Sequence, residues 1–171
     1  MEGYVQVYTG DGKGKTTAAL GLAMRAAGAG LKVYIGQFIK NAYYNEIKSL
    51  EKFSDQITLV QFGRGCFIRG NPCEEDIQLA RKGLDAITAA LKSGNYDLVI
   101  ADEANVAFGV HLVSEADLLA LIEARRPETE LVLTGRNAPQ AVIDRADLVT
   151  EMREVKHYYQ HGVLAREGIE K

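Results

Sequence analysis

Short apolar runs alternate along the chain with longer segments in which apolar residues recur at helical spacing. Runs such as LVIA and LVLT are almost uninterrupted, which is typical of parallel strands that are buried on both faces. The apolar runs predict six strands, at residues 4–8, 32–39, 57–62, 97–101, 130–134 and 148–152. The helical segments predict five helices, at residues 16–29, 46–53, 74–92, 114–124 and 139–144. Because strands that alternate with helices form parallel sheets covered on both sides, we predict one three-layer α/β/α domain over residues 1–171.

The first predicted strand runs directly into a glycine-rich loop, TGDGKGKTT at residues 9–17, and then into a helix. Glycines let backbone N–H groups converge on an anion, and the helix N-terminus adds a partial positive charge. Lys15 supplies an ammonium, and Thr16 supplies a hydroxyl that can bind Mg²⁺. The strict pattern G-x4-G-K-S/T fails only at Thr9, whereas the dinucleotide pattern G-x-G-x-x-G fails at Lys15. The loop therefore predicts a nucleotide phosphate site on a P-loop NTPase-like (RecA-like), mostly parallel sheet.

Two carboxylates, Asp102 and Glu103, follow the strand predicted at residues 97–101. A phosphate-loop protein needs carboxylates at the carboxyl end of a strand to hold Mg²⁺. We therefore expect Thr16, Asp102 and Glu103 to form the metal site.

Further polar residues lie at the same edge of the predicted sheet, either in the last residues of a strand or just after it, and in a doubly wound sheet the loops after the strands line one crevice. These residues are Gln37, Lys40, Asn41, Asn105, Arg136 and Asn137. For Arg136 taken alone, a surface ion pair is the alternative, but its placement beside the phosphate loop favours a role in binding a phosphate anion. The candidate nucleotide-binding residues are Thr9, Gly10, Asp11, Gly12, Lys13, Gly14, Lys15, Thr16, Thr17, Arg136 and Asn137.

The amino-acid composition limits the kinds of partner, metal site and cellular location that the protein can have. Lys and Arg number 20 and Asp and Glu number 23, giving a formal charge of −3, which disfavours nucleic acid as the main partner. The two cysteines lack the paired spacing of a zinc site, and the three histidines show no ligand spacing, so none is expected to be catalytic. With no signal-peptide pattern and no apolar stretch long enough to span a bilayer, we expect a cytoplasmic protein without a membrane anchor.

Several blocks together resemble the P-loop ATP:corrinoid adenosyltransferases, the cob(I)yrinic acid a,c-diamide adenosyltransferases of the vitamin B12 pathway. The blocks are YTGDGKGKTT at 8–17, QFIK at 37–40, DE-x-N at 102–105, TGRNAP at 134–139, DLVTEM at 147–152, VKH at 155–157 and GIE at 168–170. They occur in order over nearly the whole chain. QFIK, TGRNAP and the tail are not shared by P-loop proteins in general, which makes the resemblance specific.

The resemblance implies transfer of the 5′-deoxyadenosyl group of ATP to the Co(I) of a reduced corrinoid, with release of triphosphate. Co(I) would attack C5′, so the protein would contribute positioning and charge stabilisation. Residues 10–17 would hold the triphosphate of an ATP bound in reversed direction. Lys15, Thr16 and Glu103 are the implied catalytic residues, since Lys15 would neutralise the leaving group and the other two would hold Mg²⁺. An electron-donating reductase and a homodimer are further implications.

Members of this family can place an aromatic side chain, in some of them Trp, over the corrin face, and this chain contains no Trp. Phe67, in the glycine-rich loop at 63–71, is the candidate corrinoid contact, and simple packing of the loop is the alternative. Because the first strand is predicted from residue 4, we expect no N-terminal segment that could cover the site.

The phosphate loop and the acidic pair alone fit a second function, a kinase or ATPase that cleaves at the γ-phosphate. The inorganic product separates the two, since adenosyl transfer releases triphosphate and the alternative releases phosphate or ADP. A third candidate, a nucleotide-gated binding module, would bind ATP without turnover. Cobyrinic acid diamide, cobinamide and cobalamin are the candidate acceptors, in biosynthesis or in salvage.

Overall fold

The computed structural model describes residues 2–65, 68 and 70–170. Its strands are β1 (Val5–Thr9), β2 (Val33–Phe38), β3 (Ile57–Phe62), β4 (Leu98–Asp102), β5 (Glu130–Thr134) and β6 (Leu148–Glu151). Its α-helices are α1 (Lys15–Gly28), α2 (Asn45–Leu50), α3 (Glu74–Ser93), α4 (Ala104–Gly109), α5 (Glu115–Ala124) and α6 (Gln140–Arg145). Short 3-10 helices occupy Glu51–Phe53 and Tyr158–His161. Within these ranges no helix is long and apolar enough to cross a membrane.

The six strands form one parallel sheet in the order β3-β2-β4-β5-β1-β6. The strand that leads into the phosphate loop, β1, lies between β5 and β6, and β4 lies between β2 and β5. Since all strands point the same way, the residues that follow them meet at one edge of the sheet. This edge carries the candidate site.

Alternate residues of the central strands pack into two separate apolar layers. On β4, Val99 and Ala101 pack with residues of α3, α4, α5 and α6, whereas Leu98 and Ile100 pack with residues of α1 and α2. The same alternation continues on β5, where Leu131 and Leu133 belong to the first layer. The predicted three-layer α/β/α fold is therefore confirmed.

The observed elements differ from the predicted ones mainly after β4. Helix α4 was not predicted, because its six residues, ANVAFG, are too few to show a helical period. It is held by tertiary packing, since Ala104 and Ala107 are fully buried. Ser114 caps α5 as predicted: its Oγ accepts a hydrogen bond from the backbone N–H of Asp117 at 3.1 Å.

Asp76, in the first turn of α3, ties this helix to the segment that follows β3. Its carboxylate accepts hydrogen bonds from Arg64 Nε at 2.7 Å and Nη2 at 3.0 Å, and from the backbone N–H of Cys73 at 3.1 Å. The hydrogen bonds from Arg64 and Cys73 lower the pKa of Asp76 to about 2. The ion pair thus holds Arg64, near the start of the loop at 63–71, close to Cys73, which lies just beyond the end of that loop.

We expect Asp76→Asn to lower the free energy of unfolding by about 1 to 2 kcal/mol at pH 7, because the pKa of this acid is lower in the folded than in the unfolded chain. We limit the expected loss of free energy to this range because solvent screens the partly exposed guanidinium of Arg64 and weakens the ion pair. The contribution is complete above about pH 4, the unfolded pKa, and disappears as the pH falls towards about 2. Urea unfolding of both proteins at several pH values measures this, and a difference that stays constant down to the lowest pH would contradict it.

Candidate active site

A cavity of about 820 Å³ opens at the carboxyl edge of the sheet. The phosphate loop and the first turns of α1 form one wall, α2 forms a second, and the C-terminal tail borders it as well. The predicted site residues that line it are Asp11, Gly12, Lys13, Gly14, Lys15, Thr16, Thr17, Glu103 and Arg136. Thr9, Gly10, Asp102 and Asn137 are not among the lining residues. Thr9 instead accepts a hydrogen bond from the backbone N–H of Ala138 at 3.2 Å, which anchors the loop that carries Arg136.

The residues that follow β6 pack against the phosphate loop. Gly10 has φ +92°, a left-handed conformation that favours glycine, and a Cβ there would lie 2.4 Å from the carbonyl oxygen of Met152. The same carbonyl accepts a hydrogen bond from the N–H of Gly12 at 2.7 Å. The close contact leaves no space for a side chain at Gly10 and holds the loop in place.

Lys15 folds back along the loop. Its Nζ donates to the carbonyl oxygens of Gly10 and Gly12, both at 2.6 Å. Burial, together with the nearby charge of Arg136, lowers the pKa of Lys15. The ammonium is therefore held beside the loop by two carbonyl groups, and a bound anion would offer it a stronger, charged acceptor.

Asp102, the last residue of β4, is fully buried and accepts four hydrogen bonds. Thr16 Oγ1 and Thr134 Oγ1 donate to its Oδ1 at 2.9 and 2.7 Å. Gln37 Nε2 and Lys40 Nζ donate to its Oδ2 at 3.0 and 2.9 Å. The carboxylate thereby joins α1, β2, β4 and β5, and it orients the hydroxyl of Thr16.

Glu103 follows Asp102 with a φ of +60°, which is uncommon for a residue with a side chain. Its backbone N–H donates to Thr134 Oγ1 at 2.9 Å. Burial and the neighbouring charge of Asp102 raise the pKa of Glu103, although Lys40, Lys15 and Arg136 act in the opposite direction. The unusual backbone conformation directs a carboxyl group to the cavity directly beside a buried carboxylate.

Lys40 was expected only at this edge of the sheet, and the structure places its ammonium among the predicted metal-site residues. Its Nζ lies 2.9 Å from Asp102 Oδ2, 3.3 Å from Thr16 Oγ1 and 3.7 Å from Glu103 Oε1. Burial favours the neutral amine, but the two carboxylates outweigh this effect and raise the pKa of Lys40. The site therefore contains, besides Lys13 and Lys15, a further lysine that remains charged.

The C-terminal tail closes over the phosphate loop. Lys13 Nζ donates to the carbonyl oxygen of Ile169 and to Glu170 Oε1, both at 3.0 Å. Tyr158 also donates a hydrogen bond to Glu170. The cavity is bordered on this side by His157, Gly168, Ile169 and Glu170. The spacing of residues along the sequence could not predict that the tail lies here. The sequence indicated a role for the tail only through the blocks VKH and GIE, which belong to the family resemblance.

The candidate corrinoid residue, Phe67, lies outside the described residues. The described residues on either side of it, Gly65 and Ile68, continue the loop that begins after β3. The role of Phe67 thus stays a prediction from the sequence.

Comparison with known proteins identifies the family of the chain. The sequence model of the family described as ATP:corrinoid adenosyltransferase BtuR/CobO/CobP matches residues 1–170. The chain belongs to this family. It is 33% identical to a corrinoid adenosyltransferase of Sinorhizobium over 99% of this chain and 80% of that protein. It is 34% identical to a corrinoid adenosyltransferase of Pseudomonas aeruginosa, over 98% of this chain and 83% of the relative. A third corrinoid adenosyltransferase, from Escherichia coli K12, is 32% identical over 98% of this chain and 85% of its own length.

Proposed function

We propose that this chain transfers the 5′-deoxyadenosyl group of ATP to the Co(I) centre of a reduced corrinoid and releases inorganic triphosphate. The observation that carries the proposal is the family match over residues 1–170, on a chain whose phosphate loop, Glu103 and Arg136 line one cavity. At about 820 Å³ the cavity is within the range of small-molecule sites, which supports a nucleotide as its occupant.

In this reaction a cobalt–carbon bond forms at C5′, the bond from C5′ to the triphosphate oxygen breaks, and the electron pair leaves with that oxygen. No side chain has to act as a nucleophile, so the rate depends on alignment and on stabilising the leaving charge. Lys15 and Arg136 border the cavity and supply positive charge for a triphosphate bound along residues 10–17. Lys13 is occupied by the tail, so we assign the main role to Lys15.

The residues at the edge of the sheet fit Mg²⁺. Oxygen atoms of Thr16, Asp102 and Glu103 surround one position, which the ammonium of Lys40 takes, and hard oxygen donors are the ligands that Mg²⁺ prefers. In the described ranges no group of three or more His, Cys, Asp and Glu residues gathers into a metal site. Two carboxylates suit an ion that takes its remaining ligands from substrate phosphates and water. We propose that these three residues hold Mg²⁺, which would neutralise part of the triphosphate charge.

For Glu103→Gln we expect a Mg²⁺ requirement raised about tenfold or more, since a neutral amide replaces a charged metal ligand. Stability should stay equal or increase. Burial and Asp102 raise the pKa of Glu103 in the folded chain, so its charge lowers stability at neutral pH, and the neutral Gln removes that cost. Activity as a function of Mg²⁺ concentration, with thermal unfolding of both proteins, checks the two halves. Identical Mg²⁺ curves would leave Glu103 without a role at the metal.

The deciding experiment is an anaerobic assay with ATP, Mg²⁺ and chemically reduced corrinoid. We expect the absorbance of the cobalt–carbon bond to appear together with one inorganic triphosphate for each adenosyl group transferred. Release of phosphate or ADP without alkylation of cobalt would favour the kinase or ATPase. Binding of ATP without any product would favour the nucleotide-gated module. Running the assay with cobyrinic acid diamide, cobinamide and cobalamin identifies the acceptor.

Several finer points also belong to this proposal. We propose that Phe67 contacts the corrinoid, that a reductase supplies the electron for Co(I), that a second copy of the chain completes a homodimer, and that the protein works in the cytoplasm as one domain. The resemblance to the family supports the roles of Phe67, the reductase and the homodimer. The sequence composition supports the cytoplasmic location and the single domain. Alanine at Phe67, assayed with preformed Co(I) and with Co(II) plus a reductant, separates a role in reduction from a role in packing.

A further inference from the structure

Among the described residues that line the cavity, the proposed reaction gives no role to one largely buried cation, the ammonium of Lys40. The side chain of Lys40 is 19% exposed, and its Nζ contacts oxygen atoms of Asp102, Thr16 and Glu103. These are the three side chains proposed to hold Mg²⁺. They come from different parts of the fold, namely the end of β4, the first turn of α1 and the residue that follows β4. The ammonium therefore lies where a cation of a metal–triphosphate site would lie.

The backbone before Lys40 is shaped to bring it there. Ile39 has φ +67°, which is a rare conformation for a β-branched residue. The N–H of Lys40 donates to the carbonyl oxygen of Phe38 at 2.7 Å, closing a tight turn at the end of β2. Gly63 packs against this turn, and a Cβ there would lie 2.1 Å from the carbonyl carbon of Ile39. Such strain persists only where the surrounding structure enforces it, and it concentrates at functional sites.

The contacts of Asp102 leave room for only one cation at the position of the ammonium. Both carboxylate oxygens already accept two hydrogen bonds each, and Lys40 provides the only charged donor among these four. A metal bound to the same group of oxygens would face the ammonium at short range, and two like charges at a few ångströms repel strongly in a buried site. One of the two cations must move when the other is bound.

We propose that Lys40 is a positioning residue whose ammonium occupies the cation position of the nucleotide-free site and competes there with Mg²⁺. The inference uses the proposed function only in treating the cavity as a site for Mg²⁺ and a triphosphate. In the free protein Lys40 balances the charge of Asp102 and Glu103 and keeps Thr16 in place. Mg²⁺ then binds together with the nucleotide rather than alone, because the triphosphate charge compensates for moving the ammonium. Lys40 itself borders the cavity, so the displaced ammonium stays beside the bound anion.

Thermal unfolding with Mg²⁺ alone, without nucleotide or corrinoid, tests this competition. The unaltered protein should show almost no change in Tm at about 10 mM MgCl₂, whereas Lys40→Met should gain about 5 °C or more, because an ion that binds only the folded state raises Tm. Lys40→Arg keeps the charge and should respond like the unaltered protein. Lys13→Met is the matched control: it removes the other non-catalytic lysine of the cavity, which contacts the tail and not the carboxylates, and should not respond either.

Binding of Mn²⁺, followed by the loss of the free-ion EPR signal, measures the same competition directly. We expect Lys40→Met to bind Mn²⁺ at least about tenfold more tightly than the unaltered protein. Equal affinities, or a Lys40→Arg protein that binds like Lys40→Met, would overturn the proposal. If Lys40→Met does not fold, Lys40→Gln is measured in its place against the same criteria. Because no step involves a corrinoid, failure of adenosyl transfer in the product assay would overturn the proposed function and leave this contrast intact.

Discussion

Replacing Lys15 by alanine should weaken ATP binding by about a hundredfold or more while the protein remains folded. The estimate follows from the loss of charge-assisted hydrogen bonds to the triphosphate, each worth about 1.5 to 3 kcal/mol. The fold should tolerate the change. The partners of Lys15 in the free protein are the carbonyl oxygens of Gly10 and Gly12, and Gly12 lines the open cavity, where water can take the place of the ammonium. Calorimetric titration with ATP and Mg²⁺ measures the affinity, and circular dichroism checks the fold.

Lys13→Ala is the control for Lys15, because both lysines belong to the same loop and line the same cavity. Lys13 already pairs with Glu170 at 3.0 Å, so its removal should weaken the closure by the tail more than the binding of ATP. We expect a change of less than about tenfold in affinity. A folded Lys15→Ala protein with unchanged affinity, or equal losses in the two variants, would contradict the assignment of the phosphate loop.

The sheet was predictable because a buried parallel strand is a local pattern. β3 and β5 begin and end at the predicted residues, whereas β1 and β4 each lie one residue further along the chain than predicted. This single-residue difference matters for the site. It places Thr9 and Asp102 inside their strands, where they are buried and fix neighbouring elements, instead of in the loops that line the cavity.

The network around Asp102 was not predictable from spacing, because its members come from strands that are adjacent in space and distant in sequence. Gln37 lies opposite Asp102 in the register of β2 and β4, and 65 residues separate the two. The strand order that joins them depends on how the whole sheet packs. Lys40 was predicted only to lie at this edge of the sheet and in the block QFIK, and Glu170 only to belong to the block GIE. Neither signal says which atoms are in contact.

Asp102 should be the most sensitive residue of the site. Its carboxylate accepts from Thr16, Thr134, Gln37 and Lys40, and an amide can accept through one side only. In Asp102→Asn the amide nitrogen, which is itself a donor, would face one of the two pairs of donors that contact the carboxylate. Lys40 would also keep a charge without its strongest partner. Breaking a buried ion pair by removing one member costs about 3 to 5 kcal/mol, so we expect a loss of stability of that order.

A double-mutant cycle separates the lost charge pair from the lost hydrogen bonds. Asp102→Asn combined with Lys40→Met removes both charges, so it should recover part of the stability that Asp102→Asn loses. In both the single and the double variant Thr16 is no longer oriented by a carboxylate. We therefore expect an activity of about 1% or less, which corresponds to a loss of about 3 kcal/mol in transition-state stabilisation. Urea unfolding and the triphosphate-release assay provide the two measurements. Additive losses of stability in the double variant would show that Lys40 and Asp102 do not act as a pair, and near-normal activity of a folded Asp102→Asn protein would remove Asp102 from the site.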